Sequence, residues 1–477
     1  MSFKKSIRIA FVAVSIVCLS PQQLSAGTFG NYTYTDKGSS ITIDSYQANF
    51  IGSITVPAVI DGKPVTEIGE HAFELETWIQ GITIPSSVTT IRAYAFALCR
   101  SLRSVTIPSS VTFIGEHAFD FCDSLENITI PLGVTTISNG TFLSCSRLQN
   151  VGIHKRVTSI GDGAFGRCRR LERFKIPTSV TQIGSAAFHG CDTLKTLVIP
   201  PSVKTVGDYA FSNSGLVNIK LPPTVTVIGK GAFAGCRALK SVKLPPNITE
   251  LGDRLFADCS RLTPPAIPQK VVRIGAKAFT NCNLPYTMVI PASVRQIGNK
   301  AFTSKGNLKS AVFTGKAPKM GNHVFDGAAP GFKIFIPEGK SGYTVPKWFG
   351  YRSSMSSAEI EVLAENKKSV INGNVVTKFS DVIVGESSMI KRFTILNVGS
   401  RYLTGIYAVT DGDSAADFIV NPLTKSSLAP GKSTTIEIKF LPMKSGNRHA
   451  QLRIMSNDRN ENPFIINLKG TGLRLAN

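Results

Sequence analysis

Long apolar runs are nearly absent from this sequence. The one present, Ile9 to Leu19, follows Lys4, Lys5 and Arg8, and nothing after it is long enough to cross a bilayer as a helix. Acid is in short supply too: 31 Asp and Glu stand against 53 Lys and Arg, a formal net charge of +22. The signatures of chemistry are also missing. There is no Gly-x-Ser-x-Gly elbow, no phosphate-binding loop and no dinucleotide fingerprint, which removes the commonest hydrolase and nucleotide-enzyme plans. No Cys-x-x-Cys occurs, and the 6 histidines are scattered; Glu116-His117 lacks the second His of a zinc protease. "TDGDSAAD" (Thr410 to Asp417) lacks the later Glu of a calcium loop and is expected to be a strand connection. No catalytic residue, cofactor-binding residue or metal ligand is therefore expected, and the chain is not expected to be an enzyme.

The amino-terminal run is expected to be a signal peptide over residues 1–26. Its basic start, short apolar middle and small-residue site at Leu24-Ser25-Ala26 are those of a secretory leader. The mature chain is then expected to be secreted or at the cell surface, monomeric and without a transmembrane segment. For an exported protein a basic excess points away from nucleic acid and towards anionic glycans, acidic proteins or a membrane surface. A well-solvated exterior accounts for the same excess.

What the sequence has in abundance is one repeated phrase. Phe73, Phe96, Phe119, Phe142, Phe165, Phe188, Phe211, Phe233, Phe256, Phe279, Phe302 and Phe325 follow at 23-residue steps, with a single 22-residue step before Phe233. The unit IPSSVTFIGEHAFDFCDSLENIT (Ile107 to Thr129) shows what travels with the ladder: Val111, Ile114, Ala118, Cys122, Leu125 and Ile128. A fixed period in the twenties marks a solenoid, whose units bury their apolar face only by stacking on one another. Leu102, Val105 and Ile107 alternate with Arg103, Ser104 and Thr106 as in a short strand, ended by Pro108, which has no N–H. "SSVTFIG" predicts a second extended piece and "EHAFDF" a helical turn or 3₁₀ stretch. Gly115 between them is expected at a positive φ, although Arg92 and Ser138 stand at that place in two other units. Stacked strands predict a parallel sheet along one side, roughly 55 Å long for a dozen rungs.

The Ile-Pro opening, the Val-x-x-Ile-Gly middle and the Ala-Phe-x-x-Cys turn before Leu-x-x-Ile together resemble the BspA-like, or treponemal-type, leucine-rich repeat. IPTSVTQIGSAAFHGCDTLKTLV (Ile176 to Val198) matches it almost throughout, and the likeness runs from about Ile41 to Ser354. His154 in place of Pro, Thr141 and Leu255 in place of Ala, and the shortened unit at Ser214 depart from it at single rungs. The resemblance implies a solenoid of about 12 repeats on a bacterial surface or secreted protein, of a kind that in part attaches to host matrix or other cells.

Residues 27–61 read as an amino-terminal cap, 62–325 as the solenoid and 326–352 as a carboxy-terminal cap with Trp348 and Phe349 over the last rung. Residues 353–368 read as a linker. From 369 to 477 the period falls to two: "KRFTILN", "STTIEIKFLP", "HAQLRIMSN" and "PFIINLKG" predict an antiparallel β-sandwich. Asn397-Val398-Gly399, Leu428-Ala429-Pro430-Gly431, Phe440-Leu441-Pro442 and Ser456-Asn457-Asp458 resemble the immunoglobulin-like family typified by ASPM, SPD-2 and hydin, which implies a spacer or docking module. The fold class is thus mainly β with short helical turns: a leucine-rich-repeat solenoid followed by an immunoglobulin-like sandwich.

Eight cysteines, from Cys99 to Cys282, each stand three residues after a ladder Phe. Equivalent positions on adjacent rungs have parallel Cα–Cβ vectors, which suits a disulfide torsion badly, so a column of buried free thiols is expected. On the outward strand positions, Arg173, Lys175, Lys195, Lys220, Lys240 and Lys243 gather over four rungs with one acid, Glu172. These six are the candidate ligand-binding residues, for an extracellular protein or an anionic polysaccharide. The function expected is non-enzymatic binding or adhesion; a passive structural part of the envelope or matrix remains the alternative.

Overall fold

A computed structural model describes residues 25–47, 51–337, 339–355, 357–374 and 376–474. The expected signal peptide falls almost wholly outside them; the first strand, Ser25–Phe29, begins at its last two residues. Among the described residues no helix is long and apolar enough to cross a membrane.

The repeats stack as the ladder requires. Phe165 is fully buried, its ring stacked between Phe142 and Phe188 with centroids 5.5 and 5.6 Å away. Successive rungs pair in parallel: Ser159 lies opposite Gln182, and Gln182 opposite Thr205. The cysteine column stands beside the rings. Cys168 and Cys191 donate their S–H to the carbonyls of Phe142 and Phe165, each at 3.2 Å. All eight are buried free thiols, and burial raises the thiol pKa, as at Cys191. They should ignore an aqueous thiol reagent in the native protein and give eight equivalents in guanidinium without reductant. Titration of fewer would mean pairing or modification.

Three local expectations change. Hydrogen-bonded turns replace the helical turns at the ladder. Gly163 and Arg167 have φ of 62° and 60°, so residues alternate in hand across the turn. That turns the N–H groups of Gly163 and Phe165 towards the next rung, where they donate to Ser185 O at 2.7 Å and Ala187 O at 2.9 Å. A helix would use those donors within its own turn. Gly115, by contrast, is absent from the left-handed residues; its Cβ would fall on the backbone of Arg92 and Ala93. At Gly184 the same atom would lie 2.5 Å from Gly161 C. Close stacking of backbones, not a positive φ, is what favours glycine at these two rungs.

The long parallel sheet is also broken into segments. One is the three-stranded sheet Thr196–Val198, Asn218–Lys220 and Ser241–Lys243. On its amino-terminal side Phe174 fills the slot that Val151 and Leu197 occupy on neighbouring rungs. Its ring packs 4.8 Å from Phe165 and 5.0 Å from Phe188, and no strand forms around it. On the other side Pro264 and Pro265 supply no N–H, and their rung also lacks a strand.

At the carboxy-terminal cap Trp348 is buried edge-on to Phe313 at 5.1 Å, whereas Phe349 is exposed. Tyr351 lies edge-on to Phe325 and its hydroxyl accepts the Phe325 N–H at 3.1 Å. The stretch expected as a linker holds two strands instead. Tyr351–Met355 extends the solenoid sheet beside Lys333–Ile336, and Ile360–Ala364 enters the sandwich beside Lys391–Asn397. The sandwich has one sheet of Ile360–Ala364, Lys391–Asn397, Ser433–Phe440 and Phe418–Val420. The other holds Val376–Lys378, Phe464–Leu473, Gly446–Met455 and Tyr407–Asp411. Ile395, Ile436, Ile438, Phe440, Leu452, Ile454 and Ile466 fill the space between.

Candidate functional site

The three-stranded sheet carries the predicted basic face. Its inward residues Leu197, Ile219 and Val242 are buried, so the alternate residues must face solvent. Arg173, Lys175, Lys195, Lys220, Lys240 and Lys243 are all exposed, and among the described residues none of them forms an ion pair. Lys220 and Lys243 are register partners on adjacent strands, with Val198, 81% exposed, as the third member of that column. Two ammonium groups about 4.8 Å apart at their backbones repel each other, so this arrangement lowers the protein's own stability. A concavity of about 940 Å³ lies on the sandwich around Asp411–Ser414 and Asn447–Gln451, far along the chain from the six cations.

The six split between two settings. Lys195, Lys220, Lys240 and Lys243 stand on or beside the regular strands, whereas Arg173 and Lys175 flank the inserted Phe174 at the sheet's edge. The other candidate chemistry does not assemble. His71, His117 and His323 each pair with an acid three residues on, at 2.9, 2.9 and 2.8 Å. Asp411 pairs with Arg453 at 3.1 Å, and Asp417, 2% exposed, with Arg448. Among the described residues no group of three or more His, Cys, Asp or Glu could hold a metal ion.

A second charged contact on the same side of the solenoid escaped the sequence reading. The sandwich docks onto the last rungs. Lys309 Nζ pairs with Glu361 and donates to Ser369 Oγ at 2.9 Å; Lys333 Nζ lies 2.8 Å from Glu359; Ser310 Oγ donates to Val398 O at 2.9 Å. Val312 and Phe335, outward on their strands, are buried, as are Leu363 and Leu396 on the sandwich side. The signal was present in the alternating "EIEVL" from Glu359 to Leu363, whose Glu359, Glu361 and Leu363 share one face while Ile360 and Val362 join the sandwich core.

Comparison with known proteins bears on the family and the fold. The model of the BspA type leucine rich repeat region matches in overlapping stretches, 66–195, 158–285, 204–329 and 274–374, and that of the HYDIN/CFA65/VesB-like, Ig-like domain matches 374–471. Among solved structures, a leucine-rich repeat protein from Bacteroides ovatus is 25% identical, with a TM-score of 0.51 over 69% of this chain and 100% of its own. A leucine rich cell surface protein from Faecalibacterium prausnitzii is 30% identical over 61% of this chain and 95% of its own, with a TM-score of 0.43. A leucine-rich repeat protein from Treponema pallidum is 26% identical over 50% of this chain and 91% of its own, with a TM-score of 0.30. No curated protein matches the chain. Since the repeat model alone spans more than half of the sequence, the chain belongs to the BspA-type leucine-rich repeat family, its repeats followed by a HYDIN/CFA65/VesB-like immunoglobulin-like domain.

Proposed function

We propose that this is an exported, non-enzymatic binding protein whose basic solenoid face holds an anionic extracellular partner. One observation carries the reading: six exposed cations without ion pairs are concentrated on and beside one three-stranded sheet segment, two of them in direct register. On the last rungs of the same face Lys309 and Lys333 do have acidic partners. A cation used only for solubility gains from a neighbouring acid, yet this segment goes without one beyond Glu172. Export rests on the amino-terminal segment.

Binding of a sulfated polysaccharide or an acidic protein should weaken steeply with salt, because such attraction is screened beyond about 8 Å at physiological ionic strength. Replacing Lys175, Lys220 and Lys243 together by Glu should abolish it. Thermal stability should be nearly unchanged, since Glu at both register partners replaces one like-charge repulsion by another at exposed positions. Binding that persists both in half-molar salt and in the triple variant would overturn the assignment to this face, and no binding by the wild type would return the protein to the role of a passive rod.

A further inference from the structure

We infer that the partner presents an extended acidic polypeptide strand, held by repeated Leu-Lys-Ser or Leu-Lys-Thr triplets of the solenoid. The inference rests on the basic-face reading above and narrows it from an anionic partner to one kind of partner. The triplet occurs three times: Leu194-Lys195-Thr196, Leu239-Lys240-Ser241 and Leu308-Lys309-Ser310. In each, the Leu is buried in the solenoid core. The next two residues therefore open the same outward strand at the same place in the repeat.

The third triplet is occupied, and it shows what such a site does. Lys309 takes the Glu361 carboxylate and the Ser369 hydroxyl, while Ser310 Oγ donates to the backbone carbonyl of Val398 at 2.9 Å. One rung on, Lys333 takes Glu359 at 2.8 Å. A pair of strands thus lies on the rungs, with carboxylates two residues apart reaching cations on successive rungs. The spacings permit this. Alternate strand residues are about 6.8 Å apart and rungs about 4.8 Å, a difference that a lysine stem absorbs. The Ser310 hydroxyl reads a main-chain carbonyl of the segment beside that strand, at Val398, while the lysines read the strand's carboxylates.

The first two triplets offer the same pair of groups to solvent. Lys195, Thr196, Lys240 and Ser241 are exposed; Ser241 Oγ donates only to Asn218 Oδ1, at 2.8 Å, on the rung before. Asn218 itself adds a side-chain donor in the same column, in register with both Thr196 and Ser241. Arg173 stands in that column one rung earlier and extends the cationic run. The occupied and open triplets thus share residue types, position in the repeat and outward orientation. They differ in what covers them.

The probe is a labelled peptide copying residues 357–365 of this chain, Ser-Ala-Glu-Ile-Glu-Val-Leu-Ala-Glu. Its binding to the mature full-length protein would be followed by fluorescence anisotropy. Binding should weaken about tenfold or more when both inner Glu residues of the peptide become Gln, and by a similar factor in the Lys195→Ser, Lys240→Ser protein. Circular dichroism and thermal melting of that variant establish that it is folded. A sulfated polysaccharide is run beside the peptide against wild type and against the Lys175, Lys220, Lys243→Glu protein. If the polysaccharide binds through the basic face and the peptide does not, the strand inference fails and the anionic-partner reading stands. If neither binds, both fail. Peptide binding that is unchanged in the Lys195→Ser, Lys240→Ser protein also overturns the inference, because it places the peptide at the Lys309 site or elsewhere.

Discussion

Phe165→Ala should destabilise the solenoid by about 3–5 kcal/mol, the range for emptying a fully buried aromatic site. The ring is 0% exposed and stacks on ladder rings at 5.5 and 5.6 Å. The cavity has little freedom to collapse. The backbone on either side is fixed by rung-to-rung hydrogen bonds, including Phe142 N–H to Ala164 O and Phe165 N–H to Ala187 O, each 2.9 Å. Phe174, 4.8 Å away and outside the ladder, can swing towards the space, so this site should lie towards the lower end of the range. Phe256→Ala, whose ring contacts are the ladder neighbours Phe233 and Phe279 at 5.5 Å each, should lie towards the upper end. Because repeat stability is close to a sum over neighbours, the loss should stay local. Hydrogen exchange at Ile160 through Leu171 should accelerate strongly while the sandwich keeps its protection. Unchanged exchange there would remove Phe165 from the core.

The ladder was legible because burial repeats with the sequence period. Each Phe, Cys, Leu and Ile of the unit has the same neighbours one rung away, so one unit stands for all. The outward face was legible in its composition and alternation, which is why Lys220 and Lys243 fall in register as the spacing required. Local exceptions were harder. Phe174 is an ordinary apolar residue in the pattern; its effect on the sheet follows from its size beside Phe165 and Phe188, which no period records. The turn geometry was misread for a related reason. A short segment such as "EHAFDF" has the length of a helical turn, but its donors gain more from the next rung than from a single helical turn, whose nucleation is unfavourable. The docking of the sandwich lies further still from what a period can show. It joins two surfaces with different repeats, and Ser-rich composition at 353–357 disguises strand residues as a linker.

That docking supplies the other large effect. Lys309→Glu, Lys333→Glu should release the sandwich from the solenoid while leaving each folded. Lys309 and Glu361 are 23% and 16% exposed, so their pair is partly desolvated, and Lys309 Nζ also sits 5.4 Å from the Tyr286 ring. Removing one partner of a fully buried pair costs about 3–5 kcal/mol and of an exposed pair about 1 kcal/mol or less. Reversal at Lys309, which sets two carboxylates against each other at an intermediate site, should cost about 2–4 kcal/mol of docking free energy. Lys333 is 44% exposed and adds a smaller, screened increment. Buried Val312, Phe335, Leu363 and Leu396 oppose release, but Ser310 would lose its partner at Val398 O as the surfaces part. Small-angle scattering should then show a longer, more variable particle, and protease should cut between residues 355 and 360, which join the last solenoid strand to the first strand of the sandwich. The six cations of the basic face lie several rungs away, and their affinity for a sulfated polysaccharide should not change. An unchanged scattering profile and protease pattern would mean that apolar contact alone holds the two domains together, and that lysine–carboxylate pairing on these rungs contributes little.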